Sequence, residues 1–170
     1  MRINSDQVVV KIMRAEPELI PSFHACLDSV ARELIYLEMI EAPPLVDIEK
    51  FQRALIENGA PVVYAVRGAE VIGWCDISPY KNPRLAHRGG LGMGVRDGHR
   101  GEGLGTKLLT AALSIAKAFG LEKVELEVYA TNPAAIALYE RAGFEREGFI
   151  KNYRKLEGRY FDCIRMAKSL

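Results

Sequence analysis

The 170-residue sequence has few of the residues that mark disulfide-linked or metal-binding proteins. Its three cysteines, Cys26, Cys75 and Cys163, lie far apart in apolar surroundings. Their odd number argues against a disulfide framework, and neither they nor the three histidines have metal-ligand spacing. We therefore expect buried free thiols in a reducing compartment, and no metal.

Charge of one sign and long apolar runs are also missing. The 23 Lys and Arg nearly balance the 22 Asp and Glu, so there is no broad electrostatic basis for nucleic acid or membrane partners. No stretch approaches the roughly 20 apolar residues of a membrane span, and the N-terminus shows no apolar targeting segment with a cleavage site. We expect a cytoplasmic protein with one domain, residues 1–170, since 49% hydrophobic and 26% charged residues are typical of a globular domain.

Hydrophobic periodicity and turn residues predict the element order β-α-α-β-β-β-α-β-α-β-β. A first strand is expected at Val8, Val10 and Ile12, then a helix over residues 17 to about 41, then a helix capped by Asp47 and ending at Gly59. The later elements are a hairpin at VVYAV and VIGWCDI, a strand at GGLGMGV, a helix from 103 to about 119, a strand at KVELEVY, a helix at NPAAIALYERAG, and two strands from 144 to 168 turned at LEGR. Residues 91–129 form a strand–helix–strand unit that predicts a parallel crossover. The fold class is therefore α/β (α+β) on one mixed sheet.

The segment GHRGEGLGTKLL, residues 98–109, has the composition of a phosphate-binding loop. Free N–H groups at the start of the following helix, together with the charge of Arg100, favour an anion. Lys107 follows Thr106 instead of preceding it, which excludes a P-loop, and the Gly-x-Gly-x-Gly spacing is not the dinucleotide fingerprint. From the loop alone, a glycine turn that merely joins strand to helix explains the pattern equally well.

The strand before this loop has glycine at alternate positions. Gly90, Gly92 and Gly94 leave one face of a central strand without side chains, although glycine weakens strands. Either a helix or an aromatic ring packs very close to this face, or an extended ligand lies against the backbone. Coenzyme A, with a phosphate end and a thin amide-bearing arm, has the shape to use both the strand and the loop.

Two blocks carry a family resemblance. Residues 100–105, RGEGLG, match the Arg/Gln-x-x-Gly-x-Gly/Ala motif, and NPAAIALYERAGF, residues 132–144, matches the second block. With this separation and order, the chain resembles the GNAT superfamily of acyl-CoA N-acyltransferases over nearly its whole length. GWCDI, LGMGV and EGRYFD are most similar to bacterial acetyltransferases of free amino acids or related small amines. The resemblance implies a mixed, mostly antiparallel sheet of about seven strands, a central parallel β-α-β crossover and about four helices.

The resemblance also implies acetyl-CoA as cosubstrate, direct transfer to a primary amine and no metal. Relatives often dimerise, so a homodimer is an expectation from the resemblance alone. The residues implied to bind the cofactor are Met93, Gly94, Val95, Arg100, Gly101, Glu102, Gly103, Leu104, Gly105, Thr106, Asn132 and Tyr139.

Two residues are candidates for proton transfer. Tyr139, near the thioester sulfur in the family pattern, is the predicted acid for the departing thiolate; the alternative is that it only packs the helix. Many relatives carry a glutamate on the glycine-bearing strand, which this chain lacks. Glu127 matches the position of the catalytic glutamate of ribosomal-protein N-acetyltransferases, so it is either the base, acting through water, or a solvated carboxylate.

The acceptor is expected between the first helices and the sheet. Tyr36 and Glu38 are the candidate contacts there, with His87 facing the cleft from the start of the glycine strand. Glu38 or Glu41 would hold an ammonium and Arg32 a carboxylate, unless these are solvated helix charges. A protein or peptide N-terminal acetyltransferase, and a catalytically inactive acyl-CoA-binding sensor, stay open as alternative functions.

Overall fold

A computed structural model describes residues 9–170 and contains one mixed seven-stranded sheet in that range. The strands are β1 (Val10–Arg14), β2 (Val62–Arg67), β3 (Glu70–Pro79), β4 (Arg88–Val95), β5 (Lys123–Tyr129), β6 (Glu145–Leu156) and β7 (Arg159–Ser169). The helices are a 3-10 turn (Pro17–Leu19), α1 (Ile20–Ala31), α2 (Leu45–Glu57), α3 (Leu104–Phe119) and α4 (Pro133–Arg141). The strand order is β1-β2-β3-β4-β5-β7-β6. The predicted fold class and element order are confirmed; of the first strand's predicted residues, Val8 lies outside the described range.

Apolar side chains and helices cover both faces of the sheet. Successive side chains of β3 point into two different apolar clusters, one on each face. On one face Trp74 packs edge-on to Phe23 of α1, with ring centroids 5.6 Å apart, and Phe23 stacks on Tyr64 of β2 at 5.2 Å. On the other face Cys75 and Ile77 join the cluster of α3. A ligand can therefore reach the middle of the sheet only where two strands separate.

Strands β4 and β5 separate in this way. They form the parallel pair predicted from the sequence, but the pairing covers only Arg88 to Gly90 against Lys123 to Glu125. Strand β3 continues to pair with β4 as far as Val95, and β7 pairs with the whole of β5. The result is a gap at the centre of the sheet, bordered on one side by the free edge of residues 91–95.

The first helix is shorter than predicted. It ends at Ala31, and residues 32–44 form an irregular segment, so Glu41 is not helical. Leu34 has a φ of 60°, and the guanidinium of Arg154 donates to the carbonyl oxygens of Leu34 and Leu37 at 3.1 and 2.8 Å. These carbonyls are satisfied by a distant strand instead of by a further helical turn.

The start of the second helix also differs from the prediction. Pro44 is the N-cap of α2, with extended backbone angles, and Asp47 lies in the first helical turn instead of capping it. Its N–H donates to the carbonyl of Pro44 at 3.0 Å. The helix ends at Glu57, and Gly59 follows with a φ of 70°.

The three cysteines are buried free thiols, as predicted. Across residues 9–170, no helix is both long enough and apolar enough to cross a bilayer. The same residues contain no group of three His, Cys, Asp or Glu side chains placed to hold a metal ion.

Candidate active site

A cavity of about 600 Å³ occupies the gap between β4 and β5. It is bordered by the segment after α1, by β4 and its following loop, by β5 and by α4. The sequence-predicted residues that line it are Tyr36, Glu38, Met93, Gly94, Val95, Arg100, Gly101, Gly103, Leu104, Gly105, Glu127, Asn132 and Tyr139. Glu102 and Thr106, predicted as cofactor-binding, and His87 are not among the lining residues.

The glycine loop presents unpaired backbone donors to one end of this cavity. Gly101 and Gly103 have a φ of 78°, which side-chain-bearing residues rarely adopt, and open space lies where their Cβ atoms would be. The N–H groups of residues 100–106 have no acceptor among the described residues. Because these donors lie at the start of the 16-residue helix α3, the loop fits a bound anion such as a diphosphate.

The edge of β4 continues from this loop along the cavity. Residues 91–95 have no strand partner on the side of β5, so their backbone groups on that side are free for an extended, amide-bearing ligand. Gly105 lets the start of α3 approach α4 closely, since a Cβ there would lie 3.3 Å from Leu138. The loop and the strand edge together fit the diphosphate and the pantetheine arm of coenzyme A.

Arg100 lines the cavity, but its charge is already neutralised. Its Nη1 and Nη2 donate to the two carboxylate oxygens of Glu33 at 2.8 and 2.5 Å, and its Nε donates to the carbonyl of Val95 at 2.8 Å. The guanidinium carbon also lies 4.5 Å from the ring centre of Tyr36. The side chain therefore ties the segment of residues 32–44 to the glycine loop, and is not the free phosphate-binding charge that we expected.

The glycine face of β4 is largely covered by neighbouring side chains. A Cβ at Gly94 would lie 2.4 Å from Trp74, so an aromatic ring fills that place. At Gly92 the nearest atom is Oδ1 of Asp76, at 3.4 Å from the Cβ position. Of the two explanations for this face, close aromatic packing holds at Gly94, while Gly92 leaves a carboxylate oxygen uncovered.

Tyr139 lies at the cavity with its ring packed on Phe144, at a centroid distance of 5.7 Å. It is 8% exposed, and its hydroxyl makes no hydrogen bond to another residue in the described range. Burial, with a smaller contribution from Cys75, raises the pKa of the Tyr139 phenol, which therefore stays protonated. This is the state that a proton donor needs.

Glu127 and Glu38 meet at the hydroxyl of Tyr153. The phenol contacts Glu38 and lies 2.6 Å from Glu127, whose other oxygen pairs with Arg165 at 2.5 Å. Burial acts to raise the pKa of Glu127, but the hydrogen bonds from Arg165 and Tyr153 outweigh it and hold that pKa below its ordinary value. A carboxylate stabilised in this way is a weak base.

A second carboxylate on β5, that of Glu125, also lies at the cavity. Glu125 is 7% exposed and lines the cavity, held by Arg88 and by the hydroxyl of Tyr80 at 2.5 Å. Burial acts to raise its pKa, but the Tyr80 and Arg88 hydrogen bonds hold it below its ordinary value. The alternation of side chains along β5 puts Glu125 on the same face as Glu127, and this pattern is the sequence signal that indicates Glu125.

His87 does not enter the cavity. It is exposed and precedes β4 at the end where β4 and β5 are still paired, and its carbonyl accepts from the N–H groups of Glu122 and Lys123. The gap opens only beyond Gly90. Our expectation that His87 faces the acceptor cleft is therefore corrected.

Asp76 is a residue near the cavity that the sequence did not reveal. Its Oδ2 accepts from Gln52 of α2 at 3.2 Å, and the Gln52 oxygen accepts from the buried hydroxyl of Tyr64 at 3.0 Å. Burial raises the pKa of Asp76 to about 7, with the Gln52 hydrogen bond acting in the opposite direction. The only sequence signal was one aspartate inside the apolar strand VIGWCDI.

Comparison with known sequences supports the resemblance of the two blocks. The model of the acetyltransferase (GNAT) family matches residues 24–144. The L-amino acid N-acetyltransferase AaaT of Escherichia coli strain K12 is 26% identical over 139 residues, 81% of this chain and 86% of that protein. The L-methionine sulfoximine/L-methionine sulfone acetyltransferase of Pseudomonas paraeruginosa is 33% identical over 120 residues, 69% of each chain.

Solved structures show the same fold. A GNAT-family acetyltransferase from Streptococcus pneumoniae has a TM-score of 0.89 at 25% identity and covers 95% of this chain and 100% of its own. The Salmonella typhimurium protein yncA, solved with acetyl-CoA, has a TM-score of 0.88 at 18% identity over 95% of this chain and 94% of its own. With the family model, the relatives and the fold in agreement, the chain belongs to the GNAT family of acetyltransferases.

Proposed function

We propose that this chain transfers an acetyl group directly from acetyl-CoA to the primary amine of a small molecule. The observation that carries the proposal is the cavity in the gap between β4 and β5. The free N–H groups of residues 100–106 lie at one end of this cavity, and carboxylates are among the side chains that line it. The loop would hold the diphosphate, and the β4 edge at residues 91–95 would pair with the pantetheine arm. The thioester supplies an activated acetyl carbon when it is bound.

Two groups of this chain serve the transfer, and Asn132 caps the helix that carries one of them. A backbone N–H on the free edge of β4 stabilises the carbonyl oxygen as it becomes anionic. Tyr139, protonated in its buried position, donates to the departing thiolate. Asn132 shapes the start of α4 beside them, because its side chain accepts from the N–H of Ala135 at 3.2 Å.

The acceptor end of the cavity favours an ammonium. One phenolic proton of Tyr153 serves only one of the two carboxylates that meet it, Glu38 and Glu127, so the other has room for a further donor. Glu127 pairs with Arg165, whereas Glu38 has no Lys, Arg or His partner within residues 9–170. An incoming ammonium supplies both the missing donors and the missing charge.

The segment of residues 32–44 supports a small acceptor over a peptide. It is fastened at three points: Arg154 binds the carbonyls of Leu34 and Leu37, Tyr153 contacts Glu38, and Arg100 binds Glu33. Because residues 32–44 cover the acceptor end of the cavity, it suits a small amine. The named activities of the two relatives make amino acids the first compounds to test. A reducing cytoplasmic location, suggested by the three free thiols, is part of the proposal, and the homodimer stays a prediction.

Release of the coenzyme A thiol tests the proposal. The protein is given acetyl-CoA with a panel of small primary amines, free amino acids and short peptides, and we expect turnover with a subset of the small amines. Turnover confined to peptides would contradict the proposal, and acetyl-CoA binding without turnover on any acceptor would favour the sensor.

A matched pair of variants tests the cofactor loop. Gly103→Ala and Gly59→Ala both place a side chain at positive φ, 78° and 70°, in open space. Only Gly103 borders the cavity, so G103A should lose acetyl-CoA affinity in calorimetry while G59A keeps it. Equal affinity in both variants would remove the loop from the proposed binding site.

A further inference from the structure

We propose that Asp76 is the general base of this enzyme, accepting the proton of the acceptor ammonium through its free oxygen Oδ1. The inference rests on the proposed function.

The sheet register brings Asp76 to the acceptor side of β4. Asp76 on β3 is directly opposite Gly92 on β4, and opposite residues of an antiparallel pair point to the same face. That face is the one covered by α1 and α2, since Trp74, two residues earlier, packs on Phe23 of α1. The carboxylate therefore lies on the neighbouring strand, beside the place where a β4 side chain would start.

Gly92 is what leaves this carboxylate reachable. Oδ1 lies 3.4 Å from the position of a Cβ at residue 92, so a longer side chain there would cover it. Gly92 itself lines the cavity, on the strand edge that faces the gap. Oδ1 has no hydrogen-bond partner in residues 9–170, and the side chain is only half-buried. A water or an amine that contacts Gly92 is therefore within reach of Oδ1.

The other oxygen of Asp76, Oδ2, is held in place by two consecutive buried hydrogen bonds. Gln52, 1% exposed, donates to Oδ2 at 3.2 Å, and the fully buried Tyr64 donates to Gln52 at 3.0 Å. Among the described residues, the Gln52 amide from α2 faces Asp76, and the Tyr64 phenol from β2 lies behind that amide. The β4 residues on this face are Gly90, Gly92 and Gly94, which carry no side chain. Within the described residues no Lys, Arg or His side chain pairs with Asp76, in contrast to Glu125 and Glu127.

The proton transfer balances with the groups present. Asp76 enters the step as a carboxylate, takes one proton from the ammonium, directly or through one water, and becomes neutral. The freed nitrogen lone pair forms the C–N bond to the acetyl carbon, and the C–S bond breaks with its electron pair on sulfur. Tyr139 supplies the proton to that sulfur and is reprotonated by the second proton, which the nitrogen loses as the amide forms. Asp76 returns its own proton to solvent. Burial places the pKa of Asp76 at about 7, close to the value at which a base works near neutral pH.

Asp76→Asn is the central variant, because its amide oxygen still accepts from Gln52. We expect kcat to fall about 100-fold or more, the acidic limb of the kcat pH profile to disappear, and acetyl-CoA affinity in calorimetry to stay unchanged. The loss should shrink for acceptors of lower pKa, which are already neutral at the assay pH. Glu127→Gln should keep the acidic limb, and Asp47→Asn, on the exposed start of α2, controls for the loss of one negative charge.

A second measurement does not need turnover. In carbon-13 NMR of the labelled aspartate carboxyls, one resonance should titrate near neutral pH in the native protein and be absent from D76N. An amine that inhibits or turns over should move that midpoint.

The outcomes separate the two proposals. Wild-type turnover with D76N reduced less than about threefold, or with the same pH profile, would overturn the role of Asp76 and leave the proposed function standing. A rise in the KM for the amine with kcat and the pH profile retained would make Asp76 a binding contact and overturn its role as base. A native protein that acetylates no amine overturns the proposed function itself.

Discussion

Replacing Asp76 with asparagine should make the protein more stable at neutral and alkaline pH. In the fold the pKa of Asp76 is raised by burial from 3.8 to about 7. At a pH below both pKa values, Asp76 is protonated in the folded and in the unfolded state, so it contributes nothing to the pH dependence of stability. Between them the unfolded chain releases the proton while the folded protein retains it, so stability falls as the pH rises. Above about 7 both states are ionised and the destabilisation stays constant.

The size of the effect follows from the same two values. At about 1.4 kcal/mol for each tenfold change in an equilibrium constant, a rise from 3.8 to about 7 corresponds to about 4 kcal/mol. This is an upper limit, because the side chain keeps some contact with water. The asparagine side chain of D76N has no proton to lose, so the variant escapes this loss. The free energy of unfolding of D76N minus that of the native protein should therefore increase with pH.

Urea unfolding at a series of pH values measures this difference. We expect it to grow between about pH 4 and about pH 7 and to level off above. Asp97→Asn is the matched control, because its side chain is 89% exposed, and its difference from the native protein should change little. A difference that is flat with pH for D76N, or that decreases as pH rises, would refute the assignment of a raised pKa to Asp76.

Three other variants test separate parts of the site. Tyr139→Phe should lower kcat about 100-fold or more with unchanged acetyl-CoA affinity; unchanged kcat would reduce Tyr139 to a packing residue. Glu38→Gln should raise the KM for the amine about tenfold with little effect on kcat in steady-state kinetics; an unchanged KM would remove Glu38 from the acceptor site. Gly94→Ala should destabilise the fold by about 1–3 kcal/mol in urea unfolding, since its Cβ would lie 2.4 Å from Trp74. Gly148→Ala, whose Cβ would lie at an ordinary 3.8 Å from Arg165, should cost less, and equal losses would contradict the packing argument.

The elements that local sequence controls were predictable. Helix α3 ends at Phe119 and is followed by Gly120 at a φ of 101°. Helix α4 has Asn132 as its N-cap and Pro133 as its first residue. In both helices the stop or start residue satisfies or removes a backbone group within one turn, so no distant contact is needed. Residues of the two motif blocks, 100–105 and 132–144, line the same cavity, as the family resemblance implied.

Features that depend on contacts between distant residues were not predictable. Leu34 continues the helical spacing of α1, yet Arg154, 120 residues away, takes its carbonyl and the helix ends earlier. The sequence indicates a phosphate ligand at Arg100, but Glu33, 67 residues away, neutralises its charge. Asp76 gains its environment from Gln52, which comes from a helix whose placement over β3 no local pattern specifies.

The most direct test of the account follows the acetyl group itself. With isotopically labelled acetyl-CoA and a mixed panel of small amines and peptides, mass spectrometry should find the label on the nitrogen of a small amine and on no peptide, and the D76N variant should form that product far more slowly. Label found only on peptides, or acetyl-CoA bound with no labelled product of either class, would contradict the claim that this cavity acetylates a small amine.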